Sequence, residues 1–338
     1  MYETKIVKLE QNFNEIAEAM KEAPVAFPTE TVYGLGAIAW REDLVRKVFE
    51  VKNRPGDNPL IVHVSSLKML KTCIDGEIPE IYAPLIEAFW PGPLTLLFRK
   101  HEKIPHAVTG GGKYVAVRIP NHKTTLRLIE ELNAPVVGPS ANRSGRPSPT
   151  SAEHVFTDLN GKIPYIIDGG VCAEGIESTV VNGLLSPPLL LRPGVITFEE
   201  LQTHLPNIAF PEHGSAHTLA SPGTRYKHYA PEVEVVMFTG TEEEKIEKIK
   251  AEIRKSSYRA VGILAPEKVL RRLGSEVAGT KLVHFSLGGT LREIAHNLFD
   301  GLRYLDREAE VIYTVEVEDM KEGRAVMDRL NRASSRRK

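Results

Sequence analysis

Twelve residues, Gly138-Pro139-Ser140-Ala141-Asn142-Arg143-Ser144-Gly145-Arg146-Pro147-Ser148-Pro149, concentrate three serines, an asparagine and two arginines directly after an apolar run. Ser140, Asn142 and Ser144 offer hydroxyls and an amide, and the small residues around Gly145 leave backbone N–H groups accessible. That inventory suits phosphate oxygens and polar small molecules, as nests of N–H groups do in phosphate loops. The preceding Ala134-Pro135-Val136-Val137 reads as a short buried strand, so Gly138 and Pro139 end it at a sheet edge, where open α/β sheets place their ligand crevices. By turn chemistry alone the same cluster is a solvated surface turn. The rest of the chain has to separate the two readings.

Three further stretches could do chemistry. Pro28-Thr29-Glu30-Thr31-Val32-Tyr33-Gly34-Leu35-Gly36 interrupts an apolar pattern with threonines, a tyrosine and glycines at the end of a buried strand. Gly34-Leu35-Gly36-Ala37-Ile38-Ala39 has the spacing of a dinucleotide fingerprint, but that motif opens a helix directly and needs a suitably placed acidic residue about 20 positions on. Here Trp40 and Arg41 lead into a separate helix, and the fingerprint is rejected. Lys52-Asn53-Arg54-Pro55-Gly56-Asp57-Asn58-Pro59 presents Lys52, Arg54 and Asn58 from a loop stiffened by two prolines, which lowers the entropy lost on gripping an anion. A solvated helix cap is the competing reading. Thr109-Gly110-Gly111-Gly112-Lys113 lacks the spacing and the Ser or Thr of a phosphate-binding P-loop, and reads as a flexible loop feeding a strand. Within that strand Arg118 needs a partner, because an unpaired buried charge is costly. A ligand carboxylate and a structural salt bridge both qualify. His63, on a strand over 60–64, faces away from Leu60, Val62 and Val64, a place where histidines are usually structural.

The elements that must position these residues follow from periodicity. Strands are expected over 5–9, 24–27, 60–64, 94–98, 114–119, 134–137, 165–168, 178–181 and 189–194. Helices are expected over 12–22, 41–51, near 66–73 and 80–90, over 151–159, and from a Thr197 cap to 205. A first domain therefore spans 1–205. Residues 206–231 form a Pro-containing linker whose Ser221-Pro222-Gly223-Thr224-Arg225-Tyr226-Lys227-His228-Tyr229-Ala230-Pro231 concentrates aromatic and basic side chains, as lids do. Residues 232–338 alternate strand and helix, ending in a helix through Arg336-Arg337-Lys338, and read as a smaller α/β domain with a parallel sheet.

The chain has 338 residues, ample for two cores. Its net charge of −1 argues against a nucleic-acid coat, yet residues 109–150 hold six Lys or Arg against Glu130 and Glu131, a local excess suited to an anionic ligand. Cys73 and Cys172 imply no disulfide framework, no run has the length of a membrane span, and the N-terminus lacks a signal-peptide pattern, so the cytoplasm is the expected compartment.

Five segments occur in this order: Pro28 to Leu35, Lys52-Asn53-Arg54-Pro55, Gly138 to Asn142 with Ser144-Gly145, Ser178-Thr179-Val180, and Leu191-Arg192-Pro193-Gly194. Together with the 221–231 linker and the C-terminal domain they resemble threonylcarbamoyl-AMP synthases of the Sua5/YrdC/YwlC family, in its long Sua5/YwlC form. The resemblance implies a YrdC-like twisted, open mixed sheet with helices, followed by a Rossmann-like α/β domain. It implies the conversion of L-threonine, bicarbonate and ATP, with Mg2+, to threonylcarbamoyl-AMP and pyrophosphate, for t6A modification of tRNAs reading ANN codons. The product would pass to a tRNA threonylcarbamoyltransferase, with tRNA or other double-stranded RNA as a further contact. Carried over by residue, Lys52, Arg54, Ser140 and Asn142 would be catalytic. Asn58, Ser148 and Arg192 would join Arg54 and Ser140 in holding ATP. Thr31, His63, Arg118 and Ser178 would form the threonine pocket, with Arg118 on the carboxylate. Tyr229, or Tyr226, would close over the nucleotide, leaving Arg143 and Arg146 at the rim. Such chemistry needs fixed cations and N–H donors rather than a nucleophile. Two other classes compete: an RNA-binding or ribosome-associated module, and a carbamoyl-handling domain of a maturation factor that would take carbamoyl phosphate in place of threonine.

Overall fold

The computed structural model describes residues 2–212, 229–274, 276–277 and 279–338. These fall into two compact units, one of residues 2–144 and 148–212, the other of 145–147 and 229–338. Tyr226 and most of the 221–231 stretch lie outside the described residues.

Among the described residues the first unit has strands β1 (Lys5–Val7), β2 (Val25–Phe27), β3 (Gly34–Ile38), β4 (Ile61–His63), β5 (Leu94–Arg99), β6 (Tyr114–Arg118), β7 (Val136–Val137), β8 (Tyr165–Ile167), β9 (Thr179–Asn182) and β10 (Leu189–Arg192). They form one mixed sheet in the order β1-β8-β2-β3-β7-β4-β6-β5-β9-β10. The pairs β1–β8, β2–β8, β4–β6 and β5–β9 are parallel, and the remaining neighbours run antiparallel. Apart from the exposed edge strand β1, both faces are buried, which is why these strands read as continuous apolar runs. Val25 and Phe27 point to one face, where Ile16, Met20, Leu128 and Ile129 cover them. Ala26 points to the other, into the core that contains Leu44, Val45 and Val48 of the Glu42–Lys52 helix. The expected mixed α/β sheet is therefore present.

Some boundaries differ from expectation. The first helix runs Leu9–Ala19 rather than 12–22, because Leu9 and Ile16 both enter the core. Gly34–Ile38 belongs to a strand, so the tight connection after β2 is confined to residues 28–33. The Lys123–Leu132 helix was not anticipated. Thr125, Leu128 and Ile129 give it a buried stripe at helical spacing, but His122 supplies no side-chain cap to announce its start.

The second unit contains β11 (Glu234–Phe238), β12 (Ala260–Ala265), β13 (Glu276–Val277), β14 (Thr280–Ser286), β15 (Val311–Val315) and β16 (Arg336–Arg337). Its order is β13-β14-β12-β15-β11-β16, parallel except for the β13–β14 pair. The chain's end corrects the sequence reading: the last helix stops at Ala333, and residues 336–337 add an edge strand to β11. A Glu267–Leu273 helix was also missed. Reciprocal capping boxes, Thr241 with Glu244 and Thr290 with Glu293, start two of its helices. Residues 145–147 belong to this unit through Ala230 N donating to Gly145 O at 2.8 Å and Arg303 Nη2 donating to Pro147 O. Arg146 is thus a paired residue rather than a rim cation, 2.7 Å from Asp306.

Candidate active site

Parallel pairing of β4 with β6 sets His63 beside Arg118, at the ends of strands whose apolar sequence buries everything around them. The 28–33 connection then folds on itself: Thr29 Oγ1 donates to Val32 O at 2.6 Å and accepts from the backbone N of Thr31 and of Val32, each at 3.2 Å. This turn delivers Glu30 and Thr31 to Arg118. Nη2 of Arg118 meets Glu30 Oε2 at 2.9 Å and Nη1 donates to Thr31 Oγ1 at 3.0 Å. Both partners of the ion pair are buried, at 3% and 7% side-chain exposure. Arg118 therefore has the structural salt bridge that one of the two sequence readings required. The cluster also keeps open valences: among the described residues, Glu30 Oε1, Arg118 Nε and His63 Nδ1 are buried without a hydrogen-bond partner.

Burial, and next the Arg118 charge, hold the His63 imidazole well below its ordinary pKa, so this ring is neutral near pH 7. Burial also lowers Arg118, against the opposing pull of Glu30. Gly138 is small for a local reason. A Cβ there would stand 2.6 Å from Phe27 Cζ and 2.8 Å from His63 Cε1. The chain leaving β7 can pass this wall only as glycine.

The 138–149 stretch is not a solvated turn. Leu35 N donates to Pro139 O at 2.7 Å and Ala141 N to Tyr33 O at 2.8 Å, extending the β3 ladder into it. Lys52, at the end of the Glu42–Lys52 helix and almost fully buried, donates to Asn142 O at 2.6 Å, to Asn142 Oδ1 at 3.4 Å and to Ser140 O. Lys52, Ser140 and Asn142 are thereby brought together, with the lysine gripping the loop from beneath. Asn53 then takes the left-handed conformation, φ 51°, and turns the chain so that Arg54 Nη2 donates to Pro59 O at 3.1 Å. Asn58 is 0% exposed, and its Oδ1 and Nδ2 both lack a hydrogen-bond partner among the described residues. An unsatisfied buried amide costs about 1–3 kcal/mol per group, which marks it as a position completed by something else.

A third cluster links later segments. Ser148 Oγ donates to Glu177 Oε1 at 2.5 Å. Arg192 donates from Nη2 to Ser178 O at 2.9 Å and to Ser178 Oγ at 3.1 Å, while Ser178 Oγ also meets Thr95 Oγ1 at 2.8 Å. Ser178 and Arg192, expected on different ligands, are joined to each other. Gly194 permits this packing, since a Cβ would lie 2.4 Å from Thr179 N. Tyr229 stands in the second unit, its ring 5.3 Å from Phe299 with Arg329 5.7 Å from its centre.

The sequence reading missed Glu30, Glu177 and Thr95. Glu30 was the findable one, a carboxylate adjacent to Thr31 in a suspected segment while a strand arginine lacked a partner. Three of the six cations of residues 109–150 are paired: Arg118 with Glu30, Arg127 with Glu131 and Arg146 with Asp306.

Residues 18–194 match a family model described as Telomere recombination, for the Sua5, YciO and YrdC group, and residues 196–335 match the threonylcarbamoyl-AMP synthase C-terminal domain. The threonylcarbamoyl-AMP synthase of Pyrococcus abyssi is 46% identical over 320 residues, 93% of this chain and 91% of that protein. That of Bacillus subtilis is 40% identical over 342 residues, 98% and 96% of the two chains. The crystal structure of P. abyssi Sua5 complexed with L-threonine is similar with a TM-score of 0.87 at 42% identity, covering 99% of this chain and 97% of that one.

Proposed function

The chain belongs to the threonylcarbamoyl-AMP synthase family, and from that premise we propose that its first unit converts L-threonine, bicarbonate and ATP to threonylcarbamoyl-AMP and pyrophosphate, opening the t6A modification of tRNAs reading ANN codons. The observation that carries the reading is the buried group of Thr31, His63 and Arg118 with hydrogen-bonding atoms still open, in a fold shared with a threonine-bound relative. Arg118 is the partner for the substrate carboxylate, a charge-assisted bond in a dry setting. Ser178 closes the pocket from the Arg192 side. The threonine ammonium gives up a proton, the free amine condenses with bicarbonate to a carbamate with loss of water, a carbamate oxygen attacks the α-phosphate of ATP, and pyrophosphate leaves.

Charge develops on the phosphates during that step, so fixed cations and donors lower its barrier. Arg54 supplies the cation, Asn58 its buried amide, and Ser140, Asn142, Ser148 and Arg192 line the nucleotide. Lys52, already bound to the Ser140 and Asn142 carbonyls, acts by holding that loop in shape and setting its positive charge beneath it. Mg2+ enters with ATP. Among the described residues no group of three or more His, Cys, Asp or Glu stands together, whereas the hydroxyl and amide oxygens of Ser140 and Asn142, on the loop that Lys52 holds, are hard donors of the kind Mg2+ takes one or two at a time beside phosphates. When bound, the ion neutralises phosphate charge.

The proposal extends to a catalytic domain over 1–205, a 206–231 lid bearing Tyr229 that excludes water from the labile carbamate, and a C-terminal domain over 232–338. It includes a cytoplasmic setting, transfer of the product to a tRNA threonylcarbamoyltransferase, and tRNA contact. No described helix is long and apolar enough to cross a membrane. Pyrophosphate release from ATP should require threonine and bicarbonate together. Release that ignores threonine refutes the reading, and release driven by carbamoyl phosphate instead would favour the carbamoyl-handling alternative. Steeply salt-dependent tRNA retention is the measurement for the RNA contact.

A further inference from the structure

Glu30 is half used. Its Oε2 meets Arg118 at 2.9 Å, while Oε1 is buried without a hydrogen-bond partner among the described residues. Arg118 is half used in the same sense, with Nη1 and Nη2 bonded and Nε open. A buried carboxylate oxygen without a donor is costly, so the arrangement asks for one. The titratable groups that face Glu30 are Arg118, His122 and Cys172. Burial lowers His122 and pushes the Cys172 thiol up to about 12, so both are neutral near pH 7 and Arg118 is the cation in contact. An ion pair with one free edge on each partner is complementary to a zwitterion, whose two charges sit on one carbon.

We propose that Glu30 Oε1 receives the α-ammonium of the amino-acid substrate while Arg118 takes its carboxylate, which makes Glu30 the residue that selects an amino acid over the corresponding hydroxy acid. The inference rests on the threonine reading and adds a residue to it. A glutamine at position 30 keeps the shape but carries one NH2. Whichever way the amide turns, a donor faces either Arg118 Nη2 or the ammonium, and one contact is lost.

Calorimetric binding of L-threonine and of its hydroxy-acid analogue, to wild type and to Glu30→Gln, tests this. Wild type should prefer threonine by roughly tenfold or more, and Glu30→Gln should lose roughly tenfold or more in threonine affinity while its affinity for the analogue changes little, so that the preference collapses. Unchanged threonine affinity in Glu30→Gln overturns the proposal. So does wild-type protein that binds the two compounds equally, a measurement that stands even if the variant fails to fold. Wild type that binds neither compound, and releases pyrophosphate without threonine, would instead refute the functional reading beneath it.

Discussion

The two units place most of their ion pairs differently. In the second, ion pairs sit mostly at the surface: Arg336–Glu234 has side chains 42% and 32% exposed, and Arg272 and Lys268 share Glu242 in the open. Such pairs contribute about 0–1 kcal/mol, and two of the helices start in capping boxes. In the first, Glu30–Arg118 is buried, Lys52 is buried in a loop, and Asn58 is buried with its amide unsatisfied. Arrangements of this kind cost folding energy in isolation. The difference lies in the ion pairs, since the second unit also buries polar groups: Arg329 is 0% exposed, and Tyr313, Thr314 and His284 each keep a buried side-chain atom without a hydrogen-bond partner among the described residues.

Mutations at matched positions can break that comparison. Arg118→Ala leaves the Glu30 carboxylate buried and alone and should destabilise by about 3–5 kcal/mol, whereas Arg336→Ala should cost under about 1 kcal/mol. Equal midpoints in urea for the two variants would remove the distinction. A smaller effect is expected at Gly110, where φ is +59° and an added Cβ would stand 2.3 Å from Asp57 O. Gly110→Ala should push on the loop carrying Arg54 and Asn58, costing about 1–3 kcal/mol and raising KM for ATP more than KM for threonine. If both KM values hold, the glycine loop does not position that segment.

Arg54→Ala should lose at least roughly tenfold in kcat/KM, since each 1.4 kcal/mol of transition-state stabilisation is a factor of ten; unchanged kinetics would take Arg54 out of the site. The mildest effect concerns pH. His63 is held neutral in the fold, with its pKa below the unfolded value near 6.5. The unfolded chain therefore binds more protons below that pH, and stability should fall as pH drops from about 6.5 toward 5. His63→Gln should flatten that part of the stability profile relative to wild type, leaving the part that His122 and His284, likewise lowered by burial, contribute. A profile identical to wild type would show that His63 is solvated.

Much of the site could be located from residue types. Proline, glycine and clustered hydroxyls interrupt apolar runs where a strand ends, so the segments around Thr31, Arg54, Ser140 and Ser178 stood out against their surroundings. The partners did not, because a partner is a matter of register and long-range pairing. Arg118 and Glu30 are 88 residues apart, and nothing local says that parallel pairing of β4 with β6 and the turn after β2 will bring them together. Ser178 stands out by residue type, but that Arg192 returns to it across the β9–β10 hairpin is visible only in the fold. The Lys123–Leu132 helix was missed where its cap was silent, and the last helix was extended into residues that an edge strand claims.

What the sequence by itself determined is the set of elements and their punctuation: periodicity decides which segments bury a face, and Pro, Gly and small polar residues decide where they stop. Only the tertiary structure decided which polar atoms are left without partners. Lys52 was spent on the Ser140–Asn142 loop, Arg146 on Asp306, and half of Glu30 on Arg118, while Asn58 and the free edges of Glu30 and Arg118 were left over. Satisfaction of a hydrogen bond depends on distances of a fraction of an ångström between groups far apart in the chain, and that information exists only once the strands have chosen their neighbours.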